Sequence, residues 1–147
     1  MSTRRIGGLD LGQKTDFSCL ISLKDRGTAG WIVERIDRPP MGLAFRDQLE
    51  LLHASLDRLD CCAVDTGGTG QAVPELMDQQ LRIVPVVIAG GSAPAKQTKG
   101  RVTIGKATLT KGLLRLIRSG PLRVDPAAPG RDQLRQEMER GRAAGWG

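Results

Sequence analysis

Two aspartates in this sequence each end a short apolar segment and precede a glycine turn. Asp10 lies in the segment GLDLG, and Asp65 lies in the segment AVDTGGTG. Two carboxylates held close together repel each other unless a divalent cation lies between them. Mg²⁺ and Mn²⁺ prefer such oxygen ligands, and two ions about 3.5–4 Å apart are a known arrangement for phosphodiester hydrolysis. The segments therefore predict a two-metal hydrolytic centre with Asp10 and Asp65 as its catalytic, metal-binding carboxylates.

Strand geometry explains how these side chains could meet. Alternate residues of a strand share one face, so Asp10 shares its face with Gly8, and Asp65 shares its face with Ala63. If the two strands are parallel neighbours, both carboxylates lie at the same edge of the sheet. The glycines after each Asp permit tight turns or let a phosphate approach a helix N-terminus, and we favour the turn interpretation.

The elements around these segments follow from periodicity and turn residues. Apolar segments bounded by Gly and Asp predict strands at 6–11, 17–23, 31–37, 61–65 and 83–89. The last of these is apolar throughout, which is typical of a strand covered on both faces and paired in parallel. A stripe of apolar residues at steps of three and four predicts a helix over 45–59, and a second helix is expected over 71–81.

The C-terminal third is richer in basic residues and turns. Residues 90–105 are predicted to form a mobile basic loop. Thr108 is a candidate N-cap for a helix that ends before Gly120. Its predicted core face comprises Leu109, Leu113, Leu116 and Ile117. A short strand over 122–125 and a helix over 131–140 are expected to follow.

The order of elements indicates an α/β fold. Three successive strands suggest an antiparallel meander, and the alternation of helix and strand that follows suggests parallel pairing. The core prediction is a five-stranded mixed sheet, three strands antiparallel and then two parallel, flanked by helices. Ribonuclease H-like folds have this order. Without an internal repeat or a Pro/Ser-rich linker, residues 1–147 are expected to form one domain.

Charge is distributed unevenly along the chain. The net charge is +6, yet residues 1–95 contain 10 Lys/Arg and 12 Asp/Glu, whereas residues 96–147 contain 12 and 4. A basic C-terminal third suits contact with a polyanion, because each neutralised phosphate releases counterions. A solvated surface that aids solubility is the alternative. The candidate DNA-binding residues are Lys96, Lys99, Arg101, Lys106, Lys111, Arg115 and Arg118.

Several other classes of protein and site are disfavoured. No apolar run approaches the roughly 20 residues that a membrane-spanning helix needs, and a secretory signal is not recognisable. The three cysteines lack the spacing of a zinc site and are interpreted as small core residues. His53 falls in a Leu-rich helical pattern and is assigned no chemistry. A cytoplasmic setting is therefore expected.

Most of the chain resembles the nuclease domain of phage and prophage terminase large subunits. The resemblance lies in GLDLGQKTDFSCLISL, AVDTGGTGQAVPELM, LRIVPVVIAGG and IGKATLTKGLLRLIRSGPLRV. It implies a ribonuclease H-like, Mg²⁺- or Mn²⁺-dependent endonuclease that cuts double-stranded DNA during packaging in the bacterial host. Asp10 and Asp65 match the first two metal acids. Asp16 matches a position often acidic and is a candidate metal ligand, with a structural role in the turn as the favoured alternative. Lys106 matches a basic residue before the third helix and is a candidate phosphate contact.

The resemblance also implies partners and exposes departures. Other terminase or portal subunits are expected partners, whereas a membrane or a small-molecule substrate is not. The third metal acid of such nucleases lies on a late helix beyond a further hairpin, and Glu137 and Glu139 are poor substitutes for it. No phosphate loop of the packaging ATPase is present. We therefore expect a C-terminally incomplete domain with a frayed tail at 141–147.

Three alternatives remain open from the sequence. GLDLGQKTD, VDTGGTG and VVIAGGSA resemble the phosphate and adenosine loops of the sugar kinase, actin and chaperone ATPase superfamily, although those proteins enclose ATP between two such domains. A catalytically dead DNA-binding or assembly module is the second alternative. A Holliday-junction resolvase, which belongs to the same nuclease class, is the third.

Overall fold

The computed structural model describes residues 3–12, 14–77 and 80–143. Eight strands form one mixed sheet in the order β6-β7-β5-β4-β1-β2-β3-β8. The strands are β1 (Arg5–Asp10), β2 (Cys19–Asp25), β3 (Trp31–Asp37), β4 (Cys61–Asp65), β5 (Arg82–Ala89), β6 (Lys96–Thr98), β7 (Arg101–Gly105) and β8 (Leu122–Val124). The helices are α1 (Phe45–Asp57), α2 (Val73–Leu76), α3 (Lys106–Ser119) and α4 (Arg131–Ala143).

The central part of the sheet has the predicted pairing. β1, β2 and β3 are antiparallel neighbours, and β4 and β5 pair in parallel with β1 and with each other. The predicted count of five strands is wrong, because β6 and β7 extend the sheet on one side and β8, expected as a short strand, pairs in parallel with β3 on the other. No described helix is long and apolar enough to cross a membrane.

Two apolar clusters hold α1, α2 and α4 against opposite faces of the sheet. Alternation along β2 separates them: Leu20 belongs to the larger cluster, whereas Cys19 and Ile21 pack against the smaller one. The larger cluster joins the centre of the sheet to the apolar stripe of α1 and to α2. The smaller cluster includes Leu134 of α4.

The second predicted helix is shorter than expected. A 3-10 helix covers Gly68–Ala72, and α2 continues only from Val73 to Leu76, with Pro74 in its first turn. Residues 78 and 79 of the predicted helix lie outside the described residues, as does the part of the predicted frayed tail after Ala143.

Two predictions for the C-terminal half are wrong. The expected loop over 90–105 contains the β6–β7 hairpin, whose two turn residues Lys99 and Gly100 have φ of 51° and 75°. α3 begins at Lys106 rather than after Thr108, and none of its residues is buried. The apolar residues predicted as its core face are exposed, at 42%, 39%, 47% and 37% for Leu109, Leu113, Leu116 and Ile117.

Topology explains the exposure of α3. The helix leaves β7 near one end of the sheet and leads to β8 at the other, so it must cross over most of the strands. Its substantial packing is limited to those two strands. β5 is likewise incompletely covered: Ile88 is exposed and no residue of the strand is fully buried, contrary to the prediction of cover on both faces.

Candidate metal centre

Asp10 and Asp65 lie side by side at the carboxyl edge of the sheet. β1 and β4 are parallel with Gly8 opposite Ala63 and Leu9 opposite Val64, so the next residue of each strand is the aspartate. Adjacent strands are about 4.8 Å apart, and alternation puts both side chains on the face opposite the buried Leu9 and Val64. The predicted convergence of these two residues is therefore present in the backbone register.

Electrostatics agree with this proximity. Partial burial raises the pKa of the Asp10 carboxyl above its ordinary value, and the negative charges of Asp65 and then Asp16 raise it further. Among the described residues, no Lys or Arg forms an ion pair with any of these three carboxylates. The edge of the sheet therefore brings together carboxylates that have no ion pair within the described part of the chain.

The turn after Asp65 fixes that side chain. The Gly67 amide donates a hydrogen bond of 2.9 Å to Asp65 Oδ1. Thr66 donates from its amide and from its hydroxyl to the Val86 carbonyl, at 2.8 and 3.2 Å, which ties the turn to β5. Gly68 has φ of 58°, a conformation that favours glycine and fits the tight-turn interpretation.

Asp16 lies in the loop between β1 and β2. The loop folds back so closely that a Cβ added at Gly12 would lie 2.6 Å from the Asp16 carbonyl oxygen. The Gly12 amide donates to Ser18 Oγ at 2.8 Å, and the Gly12 carbonyl accepts from Gln48 Nε2 at 2.9 Å. Asp16 is thus close enough to act on Asp10 electrostatically, although its side chain is exposed.

The residues present fit a hydrated magnesium ion better than a closed protein cage. Within the described ranges, no three His, Cys, Asp or Glu side chains are placed to hold one ion. Mg²⁺ commonly takes one or two carboxylates, keeps several waters and binds substrate phosphates. The oxygen-only pair of Asp10 and Asp65 meets that requirement.

Glu137 approaches the same region from α4 but is already engaged. It pairs with Arg38, which follows β3 and also lies over the Phe17 ring at 5.7 Å. Both charged groups act electrostatically on Cys19, the residue opposite Asp10 in β2. A carboxylate held by a guanidinium is a weak competitor for a metal ion, which agrees with the prediction that Glu137 is a poor third acid.

The basic candidates occupy two separate places. Lys96, Lys99 and Arg101 are exposed on the β6–β7 hairpin at one margin of the sheet. Lys106, the first residue of α3, directly follows β7, whose carboxyl end lies at the same edge as those of β1, β4 and β5. Lys106 therefore lies at the edge of the sheet that carries Asp10 and Asp65, and only β5 separates its strand from β4.

The other three basic candidates lie along α3. Lys111, Arg115 and Arg118 are exposed and follow one another at steps of four and three, which puts them on one face of the helix. The exposed apolar residues lie on the opposite face. The seven predicted DNA-binding side chains are therefore divided between the β6–β7 hairpin, the start of α3 and one face of α3.

Sequence reasoning missed the residues that shape the site without carrying charge. Gln48 and Ser18 hold Gly12, yet the helical periodicity assigns Gln48 no role beyond its place in α1. A signal is present in the sequence: Gln48 falls on the same stripe as Phe45, Leu49 and Leu52, where a polar residue must find buried partners.

Two solved structures resemble this chain. They are the large terminase nuclease of the thermophilic phage G20c with bound magnesium, at 24% identity and a TM-score of 0.59, and the same nuclease in a second structure, at 23% and 0.58. Each alignment covers 84% of this chain, which spans 58% and 59% of the nuclease chains. No protein-family model and no curated protein matches the sequence. The chain therefore shares the ribonuclease H-like α/β fold of that terminase nuclease.

Proposed function

We propose that this chain is a metal-dependent DNA endonuclease domain of the terminase type. The observation that supports it most directly is the pair Asp10 and Asp65, at the ends of adjacent parallel strands in a fold shared with a terminase nuclease. The support has two independent sources, because strand alternation and the local glycine turns already point to this pair without reference to any related protein.

The proposed roles follow from position. Asp10 and Asp65 would hold a two-metal centre of Mg²⁺ or Mn²⁺. Such a centre would supply an activated water and stabilise the leaving oxygen. Asp16 adds negative charge near Asp10, which attracts the cation without Asp16 having to bind it directly. Lys106 orients the phosphate at the same edge of the sheet.

Double-stranded DNA is the proposed substrate. The β6–β7 hairpin and the basic face of α3 supply seven candidate phosphate contacts, counting Lys106. If all seven form, the logarithm of affinity should fall with the logarithm of salt concentration with a slope of about −6. Contacts of this kind position the backbone and provide little sequence preference. Other terminase or portal subunits are the proposed protein partners.

A DNA-binding module without catalytic activity is the second candidate. It is favoured by one observation: the described residues place no third ligand side chain beside the aspartate pair. Such a module would bind DNA with the same salt dependence and leave it intact.

Plasmid nicking in Mg²⁺ and Mn²⁺ tests the nuclease proposal. Asp65→Asn should abolish nicking while leaving DNA binding in EDTA unchanged. Asp57→Asn, at the exposed end of α1, is the matched control and should nick like the parent. Nicking that persists in Asp65→Asn, or that needs no metal, would refute the proposal. DNA binding without nicking in the parent would favour the second candidate.

A further inference from the structure

Gln48 is a buried polar residue on the apolar side of α1. Its relative exposure is 1%, and it lies beside Leu49 and one turn before Leu52 in the larger apolar cluster. A primary amide in such surroundings destabilises the fold unless its hydrogen-bonding groups are satisfied. Gln48 Oε1 has no partner among the described residues, so the two bonds made by Nε2 indicate what the residue does.

Both Nε2 hydrogens are used to hold backbone carbonyls. Gln48 Nε2 lies 2.9 Å from the Gly12 carbonyl oxygen and 2.9 Å from that of Leu43. Ser18, only 4% exposed, completes the arrangement: its Oγ accepts from the Gly12 amide at 2.8 Å and donates to the Gly12 carbonyl at 3.4 Å. Two buried side chains, one from α1 and one from the residue before β2, therefore hold both polar groups of one glycine.

Gly12 lies in the loop between β1 and β2, which also contains Asp16. It lies two residues after Asp10, and the Asp16 backbone packs against its Cα, at 2.6 Å from the position of an added Cβ. Fixing the Gly12 peptide groups therefore fixes where the loop returns. The loop in turn determines how far the Asp16 carboxylate lies from the Asp10 carboxylate.

We propose that Gln48 is a positioning residue of the metal centre, which fixes the loop carrying Asp16 relative to Asp10 through the Gly12 carbonyl. This inference rests on the proposed function, because it assigns the charge of Asp16 a share in attracting the cation. Outer partners that orient metal ligands typically change metal affinity about 10- to 100-fold when they are removed.

Gln48→Met tests the inference, because it keeps an unbranched side chain of similar size and removes both donors. Mn²⁺ binding is measured by electron paramagnetic resonance, and exchange of the Gly12 amide is measured by NMR on metal-free protein. We expect about tenfold weaker Mn²⁺ binding and faster exchange at Gly12. Leu56→Ala, in the same helix and without a bond to Gly12, is the control: it should lower the melting temperature and leave Mn²⁺ affinity unchanged.

A double variant separates positioning from general loosening. In an Asp16→Asn background, Gln48→Met should cause little further loss of Mn²⁺ affinity, because the residue through which it acts is already neutral. The full loss in both backgrounds would overturn the inference, and so would unchanged affinity in Gln48→Met. Ser18→Ala tests the same arrangement from the other side if Gln48→Met does not fold, with the same expected loss.

The experiment also distinguishes the two proposals. Mn²⁺ binding that depends on Asp10 and Asp65 but not on Gln48 overturns this inference alone. A parent protein that binds no Mn²⁺ overturns the proposed function, and this inference with it.

Discussion

Replacing Asp10 with asparagine should have opposite effects on stability without and with a divalent metal. In the metal-free protein, burial and the charges of Asp65 and Asp16 disfavour ionised Asp10, which is the reason that the pKa of its carboxyl is raised. Asparagine has nearly the same shape and no charge. Asp10→Asn should therefore stabilise the metal-free protein at neutral pH.

The magnitude follows from the exposure of the site. Because the Asp10 side chain remains in contact with solvent, interactions with charged neighbours are screened and contribute about 0.2–1 kcal/mol each. Two neighbours and partial burial give about 1 kcal/mol, or a melting temperature about 2–4 °C higher. With metal at 100 times its Kd, the parent gains about 2.7 kcal/mol, which raises its melting temperature by about 5–10 °C. The variant should gain almost nothing.

The pH dependence supplies an internal control. A raised folded-state pKa means that the folded protein keeps its proton when the unfolded chain has already lost it. Stability from protonated Asp10 is therefore complete below the unfolded-state pKa of about 4 and is lost as pH rises through the folded-state pKa. The difference between variant and parent should be near zero below about pH 4 and grow toward neutral pH.

Differential scanning fluorimetry in EDTA and in MgCl₂, with ionic strength matched by KCl, measures all of these quantities. The reasoning is refuted if Asp10→Asn is less stable than the parent in EDTA. It is also refuted if magnesium raises the melting temperatures of both proteins equally, since the added cation would then bind elsewhere.

Three further outcomes are expected. Replacing Lys99 and Arg101 with Glu should weaken DNA binding and flatten the salt slope by about 2, measured by fluorescence anisotropy; an unchanged slope would remove the hairpin from the interface. Gly12→Ala should cost about 1–3 kcal/mol in urea unfolding, because its Cβ would lie 2.6 Å from a backbone oxygen, whereas Gly8→Ala, with nothing within 4 Å, should be nearly neutral. Leu113→Ala should cost about 0.5 kcal/mol or less, since α3 is exposed; a cost of several kcal/mol would mean that the helix is packed in solution.

The aspartate pair could be predicted because it depends on local patterns. Each Asp ends a short apolar segment, and side-chain alternation decides which face it occupies. Only the parallel pairing of β1 with β4 had to be assumed, and the alternation of strands with helices favoured it. Apart from that one strand pairing, the position of the two carboxylates could be predicted from the residues next to each of them.

The β6–β7 hairpin could not be predicted with the same reasoning. β6 has three residues, too few for alternation to be visible, and the surrounding Pro, Ser and Lys residues are typical of loops. Only the turn could be recognised in the sequence, because glycine at position 100 suits the positive φ that two-residue hairpin turns require. The hairpin joins the sheet because β7 pairs with β5, and this contact between distant segments cannot be recognised from the local sequence.

The stripe of α3 shows a different limit. Periodicity correctly predicted an amphipathic helix, yet it describes a preference for burial and does not identify what covers the face. The path from β7 to β8 carries α3 across the sheet with substantial contacts only at those strands, so the leucines remain exposed. Sequence pattern determined the helix, and topology determined its environment.

Asp16 is a source of negative charge close in sequence to the proposed site. The third carboxylate that the resemblance implies would come from a distant segment of chain, whereas Asp16 is only six residues from Asp10. The nearby helical acid, Glu137, is neutralised by Arg38. If Asp10 and Asp65 hold magnesium as proposed, water and phosphate oxygens complete its ligands, and we expect the loop between β1 and β2 to modulate metal affinity through the charge of Asp16. Gln48 holds the Gly12 carbonyl of this loop, so we expect this uncharged residue to determine how close that charge lies to the ion.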